Sequence, residues 1–147
     1  MTEKFTIEHL EIIDAKEADY LYIKTSNIIG AGMGLYTSIK LYTNEIIAIY
    51  NGKLLTLVEA KNKAENNLDS YFMNMPNGSI LDAMNVKGFA KYANDAQANK
   101  NDTYKNNAII TQNSQGKICL AALYNIKAGE EIYCSYGVKY WKKYNDK

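Results

Sequence analysis

The last quarter of the chain alternates between apolar residues and small or polar residues, a period-two pattern that is typical of strands. The alternation runs from Ile118 to Tyr124. Residues 127–129 then predict a turn, in which Gly129 can take a positive φ. A second short strand is predicted from Glu131 to Cys134. Two strands joined by a tight turn are therefore expected here.

Aromatic residues gather directly after this second strand. Tyr136 precedes Gly137, and Tyr140 and Trp141 follow within the same chain reversal. Because Gly137 ends the strand, the Tyr136 phenol is expected at a strand end beside open backbone. The cluster suggests a lined pocket, although on local sequence alone the simpler interpretation is a hydrophobic corner of an ordinary β domain.

Short apolar segments bounded by turn residues predict further strands upstream. They lie at residues 21–24, 34–37, 46–50, 53–57, 70–73, 79–82 and 108–112. Thr56 followed by Glu59 has the spacing of a capping box and predicts a polar helix that continues to about Leu68. Residues 1–19 fit neither period cleanly, so an extended flank or a short strand is expected there.

Length and composition favour one globular domain. The chain has 147 residues, of which 47% are hydrophobic, and a chain of this length buries roughly 70% of its unfolded surface. The formal net charge is +1 and all 17 basic residues are lysine, without a dense basic stripe, so nucleic-acid binding is not predicted. Two cysteines and one histidine are too few for a zinc site, so no metal is expected. We find no signal peptide or membrane segment.

Three glycines at alternate positions, Gly30, Gly32 and Gly34, allow unusual φ values and a close approach of the backbone to a ligand. A strand rather than a helix follows them. The segment therefore supports neither a dinucleotide-binding fingerprint nor a P-loop, both of which open a helix.

Several of these segments resemble motifs of one family. Residues 126–137, IKAGEEIYCSYG, resemble the C-terminal signature of the SET-domain family, the protein-lysine methyltransferases. Residues 32–36, GMGLY, resemble its first motif, whose backbone holds S-adenosylmethionine. Further likenesses occur between these two in the family's order, at residues 47–56, 70–73, 80–83, 88–96 and 107–108.

The resemblance implies a mainly β fold. The SET-domain (β-clip-like) fold consists of several small sheets with one or two short helices and a C-terminal pseudoknot. It would occupy residues 25–147 after an N-terminal flank at residues 1–24, with the helix near residues 57–68 and a short C-terminal helical turn. The cysteine-rich zinc-binding tail of many members is absent, so a minimal SET domain is expected.

The resemblance also implies a function: S-adenosylmethionine-dependent methylation of the ε-amine of a lysine in a protein substrate, for which a histone is one candidate. S-adenosylmethionine is the expected cofactor. The expected location is intracellular, cytoplasmic or, for a histone substrate, nuclear. Neither a nucleic-acid nor a membrane partner is implied, and the oligomeric state stays open.

Individual roles follow from the same resemblance. Tyr136 is the first candidate for a catalytic phenol, and Tyr50 is the second candidate and a wall of the substrate channel. Ile110 and Cys134 would complete that channel, and a residue as small as Cys134 would leave room for di- or trimethylation. The residues expected to bind the cofactor are Gly32, Met33, Gly34, Tyr71, Lys91, Asn94, Asp95 and Trp141.

Two departures keep other interpretations open. Asn94-Asp95-Ala96 stands where the family has Asn-His-Ser, and Lys91 replaces an arginine. The alternative function is therefore a catalytically weak or inactive SET-like module that binds a lysine-containing peptide or the cofactor. A plain β-rich interaction domain is the third interpretation. In it Tyr50 and Tyr71 are strand core, Asn94 is a turn residue and Lys91 is simply solvated.

Overall fold

A computed structural model describes residues 9–50, 52–69, 72–74, 80–82, 88–96 and 103–135. The strands are short and distributed along the whole described chain: Glu11–Ile12 (β1), Leu21–Thr25 (β2), Met33–Thr37 (β3), Glu45–Ile49 (β4), Lys53–Leu55 (β5), Phe72–Asn74 (β6), Ile80–Asp82 (β7), Ala108–Gln112 (β8), Ile118–Ala122 (β9), Glu131–Ile132 (β10) and Cys134–Ser135 (β11). The helices are Glu17–Tyr20 (α1) and Leu57–Glu65 (α2), with a 3₁₀ turn at Ala90–Tyr92. The expectation of a mainly β fold is confirmed.

The strands form three sheets. The first has five strands in the order β1-β4-β9-β8-β11, and the other two have three each, β10-β3-β2 and β5-β7-β6. Neighbours are antiparallel except for β1 with β4 and β11 with β8, which are parallel. Several small sheets with few helices are what the sequence predicts.

The core lies against the centre of the five-stranded sheet. All five residues of β9 are buried, including Cys119 and Ala121 between the apolar positions of the predicted alternation. The strand also ends at Ala122 rather than Tyr124, whose side chain is 64% exposed. The period-two pattern was therefore wrong about one face, because small side chains let the core cover β9 on both sides.

The C-terminal strand predicted over residues 131–134 is divided between two sheets. Glu131 and Ile132 pair with Tyr36 and Leu35 of β3, while Cys134 pairs with Ala108 of β8. The residue between them, Tyr133, bridges to Asn94. Residues 131–135 thus lie between three chain segments. The expected pseudoknot and the expected C-terminal helical turn both involve residues 136–147, which lie outside the described residues, so both stay predictions.

Most upstream predictions agree with the structure to within a few residues. β8 has its expected bounds, and Gly129 takes the expected positive φ of 88°. β5 ends at Leu55, two residues early, because Thr56 is the N-cap of α2. The helix ends at Glu65, before Asn67 with its φ of 59°. Nothing in the sequence pattern predicted α1.

The predicted capping box of α2 is present. The Thr56 hydroxyl accepts a hydrogen bond from Glu59 N–H, and the Glu59 carboxylate accepts one from Thr56 N–H, both at 3.1 Å. Lys63, in the last turn, forms an ion pair with the buried Asp82 of β7 at 2.6 Å. The helix is thus fixed at its first turn by local bonds and at its last turn by the β5-β7-β6 sheet.

Removing the cap is expected to weaken this part of the fold. We predict that Thr56→Ala lowers the free energy of unfolding by about 1 kcal/mol, because two backbone donors lose their partners or their geometry. Urea denaturation followed by circular dichroism measures the change. Thr56→Ser keeps the hydroxyl and serves as the matched control. Equal losses in the two variants would contradict the role of the cap.

Candidate active site

A buried carboxylate, that of Glu131, lies beneath the glycine-rich loop. It accepts hydrogen bonds from the Ser26 hydroxyl at 2.7 Å, the Asn27 backbone N–H at 2.8 Å and the Tyr133 hydroxyl at 2.8 Å. The Tyr36 hydroxyl lies 3.3 Å away and also donates to a backbone carbonyl. Because burying a charge is costly unless donors surround it, these bonds fix the loop relative to β10.

The charge of Glu131 also affects the phenols beside it. Burial, reinforced by this carboxylate, raises the pKa of Tyr36 to about 12. The same two causes raise the pKa of Tyr133 well above the ordinary tyrosine value. Both phenols therefore stay protonated near neutral pH and act as hydrogen-bond donors.

Gly34 has a structural reason to be glycine. A Cβ added there would overlap a carboxylate oxygen of Glu131 and would lie 3.2 Å from the Ser26 Cα. Its small size thus makes room for Glu131 below the loop. Gly30 and Gly32 differ, because both take positive φ values, 85° and 78°, and nothing lies within 4 Å of the position of a Cβ. Gly32 therefore has free space where a Cβ would lie, while its carbonyl accepts a hydrogen bond from Ser26 N–H at 2.8 Å. The expected cofactor role of Gly34 stays a prediction beside this structural one.

The loop is joined to Asn94 by a side-chain hydrogen bond. The Asn94 amide donates to the Met33 backbone carbonyl at 3.0 Å and lies 3.5 Å from a Glu131 oxygen. The Asn94 carbonyl in turn accepts from Cys134 N–H at 2.9 Å. Met33 itself is partly exposed. Met33 and Gly34, predicted from one motif, and Asn94, predicted from another, thus meet at one place.

Asp95 is buried rather than open to solvent. One of its carboxylate oxygens accepts from the Asn106 amide at 3.0 Å, and the Asn106 side-chain oxygen accepts from Ala96 N–H at 2.9 Å. The departure from the family's Asn-His-Ser is therefore accommodated by Asn106, a polar residue in the segment before β8. The backbone of Asn94 keeps its bridge to Tyr133.

The three residues expected to line a substrate channel pack in one cluster. The Tyr50 hydroxyl lies 4.0 Å from the Cys134 sulfur, which lies 3.9 Å from the Ala93 carbonyl oxygen. Ile110 is half-buried against the same core cluster. Cys134 and Tyr50 are both buried and belong to the main hydrophobic core.

Four further candidate residues are Lys91, Tyr71, Tyr136 and Trp141. Lys91 follows the start of the 3₁₀ turn, half-buried, with its ammonium 5.5 Å from the Tyr92 ring centroid. Whether it binds a cofactor stays a prediction. Tyr71, Tyr136 and Trp141 lie outside the described residues, so their expected roles also stay predictions.

Sequence reasoning missed the polar residues that hold the site together. The sequence pattern predicts no role for Glu131, although an acidic residue inside an apolar strand is itself a signal of a buried, hydrogen-bonded group. It predicts none for Asn107 either, yet the Asn107 side chain accepts from Tyr133 N–H at 2.9 Å and donates to the Glu131 carbonyl at 3.1 Å. It therefore fixes the backbone between β10 and β11.

Comparison with known proteins agrees with this geometry. Residues 32–137 match the SET domain, which is well over half of the chain. The chain belongs to the SET-domain family, whose members are generally S-adenosylmethionine-dependent protein-lysine methyltransferases. No curated protein matches it in sequence.

Solved structures share the fold. One is a humanized mutant of the Chaetomium thermophilum Polycomb Repressive Complex 2 bound to an inhibitor, with a TM-score of 0.66, 23% identity and coverage of 80% of this chain and 15% of that one. Another is ctPRC2 in an autoinhibited conformation bound to S-adenosylmethionine, with a TM-score of 0.66, 24% identity and coverage of 86% and 17%. The chain thus spans less than a fifth of those chains, and the likeness shows the fold alone.

Two further observations concern the described part of the chain. No group of histidine, cysteine and acidic side chains there is arranged to hold a metal ion. None of its helices has the length and apolar character needed to cross a membrane.

Both thiols are expected to be unreactive in the folded protein. Burial raises the pKa of Cys119 to about 11 and that of Cys134 further still. Two units of pKa alone reduce the thiolate fraction about 10²-fold. We predict that iodoacetamide at pH 8 labels neither cysteine until the protein is unfolded in guanidinium, as read by mass spectrometry.

The variant Cys119→Ser isolates the signal of Cys134. Labelling of Cys134 in this folded variant at the rate of a free thiol would contradict the closed packing around Tyr50.

Proposed function

We propose that this protein transfers methyl groups from S-adenosylmethionine to the ε-amine of a lysine in a protein substrate. The observation that carries the proposal is the position of Cys134. Its N–H binds Asn94, which binds the loop at Met33, and its sulfur faces the Tyr50 hydroxyl. The residues proposed to bind the cofactor and the residues proposed to line the channel therefore meet at Cys134.

The residues present fit S-adenosylmethionine. Gly32 has free space where a Cβ would lie, and Asn94 joins that loop to Cys134 in the strand that precedes Tyr136. By the resemblance, Gly32, Met33 and Gly34 would hold it through backbone groups, Asn94 and Asp95 would lie at its amino-acid end, and Lys91 would pair with its carboxylate. Tyr71 and Trp141 would contribute side chains, with Trp141 on the adenine. When bound, it supplies an electrophilic methyl group on a sulfonium.

The chain's own contribution is alignment and desolvation. In the transfer, the lysine nitrogen forms a bond to the methyl carbon as the bond from carbon to sulfur breaks, so the attacking amine must be neutral. A free lysine has a pKa of about 10.4, so at pH 7 only about one in 10³ is neutral. An apolar channel lowers that pKa. Holding the amine in line with the methyl group accounts for much of the rate.

Phenols suit this channel better than carboxylates. A carboxylate would stabilise the charged lysine, whereas a phenol offers an oxygen to the polarised methyl hydrogens and a ring wall to the aliphatic stem. Tyr50, whose hydroxyl lies 4.0 Å from the Cys134 sulfur, is our candidate for one such phenol. Tyr136, two residues beyond Cys134 in sequence, is our first candidate for the second phenol.

The alternative of an inactive binding module rested mainly on the Asn94-Asp95-Ala96 departure. The burial of Asp95 and its bond to Asn106 weaken that support, because the fold supplies a hydrogen-bond donor to the residue that departs from the family pattern. The substrate is proposed only as a protein with an exposed lysine, a histone being one candidate, and a nuclear location would follow from a histone. The solved relatives are named for Polycomb Repressive Complex 2, which is a property of those proteins.

The catalytic role of Tyr136 is tested by removing one oxygen. We predict that Tyr136→Phe lowers the transfer of labelled methyl from S-adenosylmethionine about 10²-fold or more, because an amine held without this phenol is misaligned. Core histones, lysate proteins and the protein itself serve as acceptors, and labelled lysine is located by mass spectrometry.

Tyr124→Phe is the matched control, because Tyr124 is exposed outside the site. Full activity in Tyr136→Phe would remove Tyr136 from the mechanism. Calorimetric binding of S-adenosylmethionine without any transfer would favour the binding module.

The small side chain at position 134 predicts the product. We expect di- or trimethyl-lysine, because Cys134 leaves more room beside Tyr50 than an aromatic residue would. A time course analysed by mass spectrometry measures the product distribution. A product that stops at monomethyl-lysine at long times would contradict this role of Cys134.

A further inference from the structure

The strand that carries Tyr50 contains a β-bulge. In β4, Ile46 pairs with Ala121 of β9, but Ala48 pairs with Leu120, so Ile47 is an extra residue without a partner in the ladder. A bulge leaves backbone groups unpaired and turns the strand. After it, the ladder resumes through Ile49 and ends with Tyr50 N–H donating to Ile118 O at 2.9 Å.

The Tyr20 side chain supplies a hydrogen-bond donor to Ile47, the extra residue of the bulge. Its hydroxyl donates to the Ile47 carbonyl at 2.7 Å in a buried hydrogen bond across 27 residues of sequence. The Tyr20 side chain is buried, and burial together with the nearby charges of Glu17 and Glu45 raises its pKa to about 12. The phenol is therefore a protonated donor to the one carbonyl that the bulge displaces.

Glu17, one turn earlier in α1, holds the next backbone group. Its carboxylate accepts a hydrogen bond from Ile49 N–H at 3.1 Å. Burial raises the pKa of Glu17 while this hydrogen bond opposes the rise. The residue directly after Ile49 is Tyr50, so two side chains of α1 bind the backbone within three residues of the channel phenol.

The helix that supplies these contacts lies outside the matched part of the family. The SET match begins at residue 32, whereas α1 spans Glu17–Tyr20. The same N-terminal segment also adds β1 in parallel to the start of β4. The bulged strand is thus fixed by β9 on one side and by residues 11–20 on the other.

We propose that Tyr20 and Glu17 are positioning residues for Tyr50, and that α1 is therefore part of the catalytic unit rather than a separate flank. The inference rests on the proposed function for its catalytic consequence. By holding Ile47 O and Ile49 N–H, the two side chains set the direction in which β4 ends. That direction decides where the Tyr50 hydroxyl lies relative to Cys134.

Hydrogen exchange tests the contact without reference to activity. In Glu17→Ala and Tyr20→Phe, amide exchange at residues 47–50, read by NMR, should become at least about tenfold faster than in wild type, because each variant removes one side-chain partner of that backbone. Exchange in β8 and at the far end of β9 should be unchanged. Asp19→Ala and Tyr22→Phe are matched controls from the same segment, since Asp19 is exposed and Tyr22 stacks on Tyr36.

Unchanged exchange at residues 47–50 in both variants would overturn the proposal, whether or not the protein is a methyltransferase. Faster exchange throughout the protein would also overturn it, because the contacts would then be part of general stability and not specific to the end of β4.

Kinetics test the consequence for catalysis. With core histones as acceptor, Tyr20→Phe should lower kcat about tenfold while the KM for S-adenosylmethionine changes less than about twofold, because the cofactor loop is not touched. In a Tyr50→Phe background the same substitution should cost less than about twofold, since the hydroxyl that it positions is gone.

A full tenfold loss in the Tyr50→Phe background would overturn the action through Tyr50. A wild type inactive toward core histones, lysate proteins and itself, together with faster local exchange, would leave the structural contact established and refute the proposed function instead.

Discussion

The structure depends on one buried charge. The Glu131 carboxylate is removed from solvent and, among the described residues, no lysine forms an ion pair with it. Its stabilisation comes from neutral donors on Ser26, Asn27 and Tyr133. A charge buried in this way is tolerable only when its donors are fixed in place. The requirement of one side chain therefore determines the course of the glycine-rich loop, the need for glycine at Gly34 and the orientation of the neighbouring phenols.

The same carboxylate explains how the candidate site is assembled. Glu131 and Tyr133 use their side chains to organise the loop, and the backbone of residues 133–135 joins Asn94 and β8. Asn107 holds both sides of Tyr133, so the segment can leave one sheet and enter another without losing hydrogen bonds. The residues proposed to bind the cofactor and those proposed to line the channel are consequently joined through one short segment.

Sequence reasoning succeeded where the cause is local. The capping box at Thr56, the bounds of β8 and the positive φ of Gly129 each follow from chemistry within a few residues. It was less successful where contacts between segments far apart in sequence determine the structure. The Glu131–Ser26 bond joins positions 105 apart, and the alternation around Tyr124 could not show that both faces of β9 are covered.

The candidate site likewise contains residues that the sequence predicted and contacts that it did not predict. Motif likeness predicted Asn94, Met33, Tyr50 and Cys134, and the structure brings them together. It did not predict that Asn106 compensates for the acidic residue at position 95, because that pairing depends on how the segment before β8 returns to the 3₁₀ turn. Nor could periodicity in residues 11–20 indicate that a four-residue helix meets a bulge in β4.

The long separation within the Glu131 network also has a consequence for how the protein is made. Ser26 and Asn27 leave the ribosome more than a hundred residues before the carboxylate that binds them. Contacts of such separation form late, since closing a long loop costs entropy before the contact is made. During synthesis the glycine-rich loop is therefore made before the Glu131 carboxylate that binds it, and β3 is made before its partner strand β10. The part of the chain proposed to bind S-adenosylmethionine would be translated well before the residues that fix its final shape.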